Sequence, residues 1–279
     1  CSSLSDYLKK FELPLSVLQT KDNLTRVSYE LCEEMLKENV IYAEIRFAPI
    51  LHTNNLTLEE VLLSVLKGIN KSNLKVNLIL CMMRGFDFKD NLATVDLASK
   101  YLNKGVCALD LAGDEAKYPN NLYKDLFVRA KDLNIPFTIH SGEASDYKSI
   151  NEALSLGASR IGHGINYNME QIEYFKKNNI VLEMCPTSNI QTKAIKNIKE
   201  HPIYNLYKQG VLTTINTDNR TVSNTSLTKE YELLLFNFSF SIDDIIKMNE
   251  NAIKGSFLND SDKEELLNIY KKKIKNQDF

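Results

Sequence analysis

The chain has 279 residues, of which 43% are hydrophobic and 25% charged, and this composition is that of a globular protein with ample apolar material for a core. The formal net charge of −2 gives no electrostatic basis for binding nucleic acid or an anionic membrane. We find no signal-peptide pattern and no membrane-length apolar run, and the five cysteines lack C-x-x-C spacing, so we expect a cytoplasmic protein with reduced thiols.

Two helical patterns, at 4–11 and 27–36, open the chain, and an alternation of short apolar strands and amphipathic helices follows. Strands rich in Val, Ile and Leu that alternate with helices predict parallel βαβ units. The tail is helical from residue 227 onward, and the absence of linkers and repeats predicts a single domain over residues 1–279. The predicted strands cover residues 40–47, 75–83, 105–111, 135–140, 160–164, 180–184 and 211–216, and the helices between them cover 58–69, 92–102, 121–133, 149–156, 169–177 and 193–208.

The strand and helix pattern favours an α/β fold of the (β/α)8 TIM-barrel type with additional C-terminal helices. A doubly wound sheet is the competing architecture, but it normally carries a Gly-rich phosphate loop after an early strand, and neither G-x-G-x-x-G nor G-x-x-x-x-G-K occurs. Only seven strands are predicted, whereas a closed barrel has eight. Because the chain opens in a helix, we expect the first strand to be absent from this chain and to precede Cys1.

Polar side chains stand where three of the predicted strands end. His140 ends one strand, His163 ends the next, and Asp218 follows a third. Parallel barrels build active sites at these strand ends, and imidazole and carboxylate suit zinc or iron. Taken singly, each histidine is more simply a hydrogen-bonded structural residue, and Asp218 could cap a helix over 220–225. Their coincidence favours a metal site.

Two further positions fit a site at these strand ends. Glu143 follows His140 by three residues, on a turn, where a carboxylate could carry protons for a metal-bound water without being a ligand. A surface or helix-capping glutamate is the alternative. Gly113 ends another strand and would let a ligand approach the backbone, although a plain turn glycine is the simpler explanation of that residue alone.

Three other reactive side chains are given no chemical role. Cys185 lies in a predicted strand-to-loop turn at 185–189 and is expected to be a small buried residue rather than a nucleophile. His52 and His201 lie in polar stretches, and the sequence assigns them no function.

The motifs around these positions together resemble the adenosine deaminase family of metal-dependent hydrolases, in chain order from about residue 4 to about residue 270. The resemblance implies zinc-dependent hydrolytic deamination of adenosine, and of 2′-deoxyadenosine, to inosine and ammonia in purine salvage. The implied partner is a small-molecule purine nucleoside. The motifs are Glu-Ile-Arg-Phe-Ala-Pro at 44–49, Asp-Leu-Ala-Gly-Asp-Glu at 110–115, His-Ser-Gly-Glu at 140–143, Gly-His-Gly at 162–164, Cys-Pro-Thr-Ser-Asn at 185–189 and Asn-Thr-Asp at 216–218.

The resemblance also implies roles for individual residues around one zinc ion per chain. His140 and Asp218 would be zinc ligands. Glu143 would deliver a proton to purine N1, and His163 would hold and polarise the zinc-bound hydroxide.

On the substrate side, the backbone N–H of Gly113 would meet purine N3. Asn219 stands where the family has a second acid that bonds purine N7; an amide donates there without first being protonated, but this departure leaves the base preference open. An apolar lid helix would cover the pocket, with a core-facing stripe as the alternative for the same spacing. The lid residues would be Leu4, Tyr7, Leu8 and Phe11.

The second departure from the family is that no His-x-His pair occurs, although the family's first strand uses one to supply two zinc ligands. One strand and its connection, on the order of 50 residues, would supply both the missing strand and the two histidines. We therefore expect an N-terminally incomplete chain, with two further histidine ligands upstream of Cys1. Residues 1–279 alone would then bind zinc weakly and show little activity.

Two other functions are kept open. The chain could deaminate another purine, such as adenine or a modified adenosine, or it could be a non-catalytic purine-binding relative. The four polar residues at the strand ends and turn argue against the second. The unrelated zinc deaminase design with H-x-E and P-C-x-x-C does not occur in this sequence.

Overall fold

The computed structural model describes residues 1–275, in which seven parallel strands alternate with helices. The strands are β1 (Tyr42–Phe47), β2 (Lys75–Met83), β3 (Val106–Ala112), β4 (Thr138–Ser141), β5 (Arg160–His163), β6 (Val181–Met184) and β7 (Leu212–Ile215). The helices are α1 (Leu4–Leu8), α2 (Glu12–Val17), α3 (Lys21–Lys37), α4 (Leu58–Ile69), α5 (Phe88–Tyr101), α6 (Lys124–Asp132), α7 (Tyr147–Leu156), α8 (Met169–Asn178), α9 (Pro186–Gln191), α10 (Ile203–Lys208), α11 (Arg220–Ser223), α12 (Leu227–Asn237), α13 (Ile242–Gly255) and α14 (Asp260–Lys275).

The strands lie side by side in chain order. β1, β2 and β3 form one ladder and β4 to β7 form a second, with every neighbouring pair parallel. A single parallel bridge between Leu109 and Phe137 joins the two ladders across β3 and β4. Chain-order parallel strands connected by helices are the arrangement of a (β/α) barrel.

Ion pairs across the interior show that the sheet is curled rather than open. Arg46 on β1 donates to Glu183 on β6 at 2.6 Å, and Arg160 on β5 donates to Glu44 on β1. Strands separated by three or four others in the sheet can exchange side-chain contacts only if the sheet bends round on itself. The predicted TIM-barrel architecture is confirmed, and residues 1–275 contain seven strands. The strand predicted ahead of Cys1 stays a prediction.

The hydrophobic core lies between the barrel wall and the outer helices, and one cluster of buried residues extends from Leu24 to Met248. Close helix packing contributes to it where α3 crosses α4. A Cβ built at Gly68 would lie 2.2 Å from the Thr25 carbonyl oxygen, so only glycine permits this approach. The predicted single domain over 1–279 includes residues outside the described part and stays a prediction.

Two local predictions between β6 and β7 are wrong. The helix predicted over 193–208 is formed only as α10, preceded by a short 3₁₀ turn, Ile198–Glu200. Pro202 explains the late start, because its missing N–H is tolerated at a helix N-terminus but not in the interior. The segment 185–189 was predicted to be a turn and instead enters α9, with Pro186 at the first position that proline favours.

The other predicted helices are formed, most of them with shifted ends. The tail, predicted to be helical throughout, is divided into α12, α13 and α14 up to residue 275. Within the described residues, none of the helices combines the length and apolarity needed to span a bilayer.

Candidate functional site

The strand ends predicted to carry the chemistry converge at one end of the barrel. The rings of His140, at the end of β4, and His163, at the end of β5, have centroids 5.1 Å apart. Potential ligand atoms of His163, Cys185 and Asp218 all lie within 4.8 Å of one another. Parallel strands therefore deliver residues from β4, β5 and the segments after β6 and β7 to a shared space.

His140 is oriented by an acid from the neighbouring strand. Its Nδ1 lies 2.9 and 3.1 Å from the two carboxylate oxygens of Asp110 on β3, and Arg46 donates to the same carboxylate at 2.9 Å. Burial lowers the pKa of His140, but the Asp110 carboxylate more than offsets this, and the pKa is raised. With Nδ1 engaged, Nε2 is the ring nitrogen left for a metal, the arrangement in which a carboxylate fixes a ligating histidine.

Asp218 is held in an unusual backbone conformation. Its φ is +51°, in the left-handed region that costs a non-glycine residue free energy and is found at functional sites. Ser188 donates to one carboxylate oxygen at 2.6 Å and Asn219 to the other at 2.8 Å. Each oxygen keeps a lone pair, so the carboxylate is positioned and still able to bind a cation. The alternative of a helix cap is wrong, because Asn219 is the N-cap of α11.

Cys185 is a buried thiol, as predicted. Its Sγ donates to the carbonyl of Glu183 at 3.4 Å. Burial raises the pKa of this thiol well above its ordinary value, which disfavours the nucleophilic thiolate.

Glu143 lies in the turn after β4 and is almost completely buried. One carboxylate oxygen accepts from the Asn189 amide at 3.1 Å and from the Thr192 hydroxyl at 2.9 Å. The other oxygen is 3.5 Å from Nε2 of His163. The carboxylate is therefore held in place beside His163, and its role as a proton carrier stays a prediction.

Glu115, a residue to which the sequence assigned no role, anchors the turn that carries Glu143. Its carboxylate accepts the backbone N–H groups of Gly142, Glu143 and Ala144 at 2.6, 3.0 and 2.8 Å, and also the hydroxyl of Ser149. Charge-assisted bonds to three successive amides hold the turn in one conformation. The available signal was its place in the motif at 110–115, but nothing in that motif names its partners.

Gly113 follows β3 with φ +107°, and a Cβ there would lie 3.3 Å from the Cβ of Arg84. The position therefore favours glycine, and it leaves the backbone open to close approach. Asn219 uses one of its two amide N–H groups on Asp218.

The segment predicted as a lid contacts two sides of the barrel mouth. Tyr7 is buried, and its hydroxyl is 2.7 Å from that of Ser223 in α11, while Ser5 donates to Asp114 after β3. The predicted lid segment consists of α1 and the 3₁₀ turn Lys9–Phe11. The other three predicted lid residues, Leu4, Leu8 and Phe11, are only partly buried, and the lid role stays a prediction.

An opening of about 660 Å³ leads from this lid to the turn after β4. Its lining includes Leu4, Asp114, Glu143, Asn166 and Thr192. This volume lies within the range of pockets that enclose small organic ligands.

Two buried side chains that were not predicted complete the site. Asn189 lies 3.0 Å from Nδ1 of His163 as well as contacting Glu143. His201, which was assigned no function, is 2% exposed and lies 3.2 Å from the Asn189 amide oxygen. His52 has no such contact and instead meets the carbonyl of Leu18.

The chain is similar to known proteins along nearly its whole length. The family model described as adenosine deaminase matches residues 1–273. An adenosine deaminase from Clostridium acetobutylicum is 44% identical over 275 residues, covering 96% of this chain and 82% of that protein. An adenosine deaminase from Clostridium botulinum is 44% identical over 283 residues, covering 98% and 84%.

Solved structures agree on the fold. An N6-methyl-AMP deaminase from Arabidopsis thaliana has a TM-score of 0.89 at 28% identity, covering 97% of this chain and 84% of that one. The adenine deaminase from Arthrobacter aurescens has a TM-score of 0.88 at 23% identity, covering 98% and 86%, a likeness that concerns the fold alone. A family model matching nearly the whole chain, together with relatives at 44% identity, shows that this chain belongs to the adenosine deaminase family.

Proposed function

We propose that the protein deaminates adenosine, and 2′-deoxyadenosine, by zinc-dependent hydrolysis to inosine and ammonia. The observation that carries this proposal is the Glu143 carboxylate, buried and held by Asn189 and Thr192 beside His163, at the barrel mouth of a member of the adenosine deaminase family. The same site would serve purine salvage.

The donor set fits zinc. His140 has Nε2 available because Asp110 engages Nδ1, and Asp218 is positioned by Ser188 with lone pairs to spare. These two side chains would hold the ion. When bound, zinc lowers the pKa of its water to about 7, which makes hydroxide available at neutral pH. The two further histidine ligands predicted ahead of Cys1 stay a prediction, as does weak zinc binding by residues 1–279.

The protein's own groups do the rest of the chemistry. Glu143 would donate a proton to purine N1, which makes C6 a better electrophile for the attacking oxygen. The carboxylate so formed would take the remaining proton of that oxygen once it is bonded to C6 and pass it to the amino group, which departs as ammonia. His163 would hold the attacking oxygen by a hydrogen bond from Nε2. The Glu115 anchor would keep Glu143 at a constant distance from the base, because the turn backbone cannot shift without breaking three charge-assisted bonds.

The remaining groups would bind the substrate. The Gly113 N–H would meet purine N3, and the second amide N–H of Asn219 would meet N7. The lid residues would cover the base and exclude water, with Tyr7 holding the lid to α11 through Ser223. A cytoplasmic location stays a prediction.

The proposal is tested by supplying full-length, zinc-loaded protein with adenosine and following ammonia release, with chelator-treated protein as the control. Adenine, 2′-deoxyadenosine and N6-methyl-AMP are supplied in parallel, because solved relatives act on other purines. We expect turnover of adenosine and 2′-deoxyadenosine that chelator abolishes. Preferential turnover of adenine or of the methylated nucleotide would reassign the substrate, and no turnover of any purine by protein with stoichiometric zinc would favour a non-catalytic relative. Tight zinc retained through dialysis would contradict the weak binding predicted for residues 1–279.

A further inference from the structure

His201 lies between the 3₁₀ turn Ile198–Glu200 and α10, and its two ring nitrogens have different partners. Nδ1 accepts the backbone N–H of Ile203 at 3.2 Å, and Nε2 lies 3.2 Å from the amide oxygen of Asn189. A backbone N–H can only donate, so Nδ1 carries no proton and the neutral ring carries its proton on Nε2. Burial lowers the pKa of His201 to about 3, so the ring is neutral at physiological pH.

The Asn189 amide is thereby oriented from both ends. Its oxygen accepts from His201, while its nitrogen lies 3.1 Å from a carboxylate oxygen of Glu143 and 3.0 Å from Nδ1 of His163. A carboxylate can only accept, so the NH₂ must face it. One amide hydrogen goes to Glu143 and the other to His163, and all donors of this fully buried side chain are used.

His163 is the end of this chain of hydrogen bonds. Because Asn189 donates to Nδ1, that nitrogen must present a lone pair, and the ring proton lies on Nε2. A proton on Nδ1 would place donor against donor in a site where His163 and Asn189 are both almost completely buried. Nε2 faces the Glu143 carboxylate at 3.5 Å and the space beside it.

We propose that His201 and Asn189 are positioning residues that hold His163 as the Nε2–H tautomer. In that form His163 can donate a hydrogen bond to an oxygen at the reaction centre but has no lone pair on Nε2 to take a proton from it. Glu143 is then the group that exchanges protons, and the two residues have separate tasks. The consequence for turnover rests on the proposed deaminase function, whereas the tautomer itself does not.

The tautomer is read directly from a long-range proton–nitrogen correlation spectrum of the full chain with isotope-labelled histidine, recorded without metal. The chain has four histidines, so single variants assign every ring. We expect an unprotonated Nδ1 and a protonated Nε2 for His163 in the wild type. Asn189→Asp replaces the donor by an acceptor, and we expect the His163 proton to move to Nδ1. A wild-type ring protonated on Nδ1, or an Asn189→Asp ring that stays protonated on Nε2, would overturn the proposal.

His201 is tested by a pair of variants and a matched control. His201→Leu removes the donor to Asn189 and should give a mixture of His163 tautomers, whereas His201→Gln can donate the same bond and should restore one tautomer. His52→Gln alters another buried histidine that lies outside this network and should leave the His163 spectrum unchanged. A single unchanged tautomer in His201→Leu, with folding verified by near-ultraviolet circular dichroism, would remove His201 from the role.

Kinetics of the zinc-loaded protein separate positioning from folding. Asn189→Asp should lower kcat by about 10- to 100-fold with little change in KM, since partners of this kind typically cost that much activity. A proportional rise in KM with unchanged kcat would contradict the assignment. If the tautomer moves as expected but the wild type turns over no purine, the proposed function fails and the tautomer assignment stands.

Discussion

The two histidines at the barrel mouth face one space but are supported in opposite ways. His140 rests on a charged chain, in which the Asp110 carboxylate holds its Nδ1 and Arg46 holds the carboxylate. His163 rests on a neutral chain, in which an amide from Asn189 meets its Nδ1 and His201 orients the amide. A carboxylate partner raises the pKa of a ring, as it does at His140.

The difference shows how one fold can give two imidazoles separate properties. Beside a carboxylate the ring gains electron density and is a stronger metal ligand. Beside an amide the ring is fixed in orientation and tautomer with no charge added. Glu143 contacts Asn189 and His163, so its proposed proton chemistry would take place next to a neutral hydrogen-bond network rather than an ion pair.

The largest effect is expected from replacing Glu143, which contacts the uncharged Asn189–His163 network. Glu143→Gln keeps the shape of the side chain but removes its ability to carry a proton, and kcat/KM should fall by about 10²- to 10⁴-fold. Steady-state ammonia release measures the change. Glu173→Gln, at an exposed glutamate, is the control and should retain activity. Full activity in Glu143→Gln would reject the proton role.

Asp110→Asn removes the charged partner that supports His140. We expect zinc affinity to fall by about 10- to 100-fold, because the partner that fixes His140 loses its charge. Unfolding free energy should fall by up to about 3–5 kcal/mol, since Arg46 would keep only Glu183 as a buried counter-ion. Metal titration and urea unfolding measure the two effects, and Asp96→Asn, at an exposed ion pair, is the control. Unchanged zinc affinity would show that the charge does not matter to the metal.

Low pH should affect the charged support of His140 but not the uncharged support of His163. Burial raises the pKa of Asp110, but His140 and Arg46 outweigh it and hold the pKa well below its usual range. The unfolded carboxyl titrates near pH ~3.9, so this stabilisation is present above about pH 4 and is lost as the pH falls below it. The raised pKa of His140 adds stability below about pH 6.5 that is lost as the pH rises through the folded value.

The urea concentration at the unfolding midpoint should therefore decrease as the pH falls below about 4 in the wild type. This decrease should be smaller in Asp110→Asn. Asn189→Ala, which alters the uncharged support of His163, should lower stability by a similar amount at every pH. The decrease of the midpoint in acid should remain as in the wild type. If Asp110→Asn loses stability in acid as much as the wild type does, the acid sensitivity comes from other groups in the protein.

The smallest effect is expected at the lid, which bonds to α11 rather than to either histidine. Tyr7→Phe removes the hydroxyl contact with Ser223, a bond worth about 0.5–1.5 kcal/mol. We expect KM to rise by up to about tenfold while kcat changes little. Tyr174→Phe, at an exposed tyrosine, controls for loss of a hydroxyl. A large fall in kcat would instead indicate that Tyr7 acts in the chemical step.

The sequence by itself determined the alternating strands and helices, the barrel class and the strand ends that carry His140, His163 and Asp218. These features are local, because strand periodicity and a polar residue at a strand end are properties of short segments. The same local reasoning failed over 193–208, where Pro202 and the surrounding turns override the apolar spacing.

Only the tertiary structure decided which side chains support the site. Glu115 reaches amides that lie 27 to 29 residues away, and the Asn189 amide links Glu143 to His201 across three segments. Such partners depend on how the sheet curls and where loops fold back, which no short pattern records. The physical reason is that a hydrogen bond is set by distance and direction in space, so a tautomer or an anchored turn exists only once the barrel has brought donor and acceptor together.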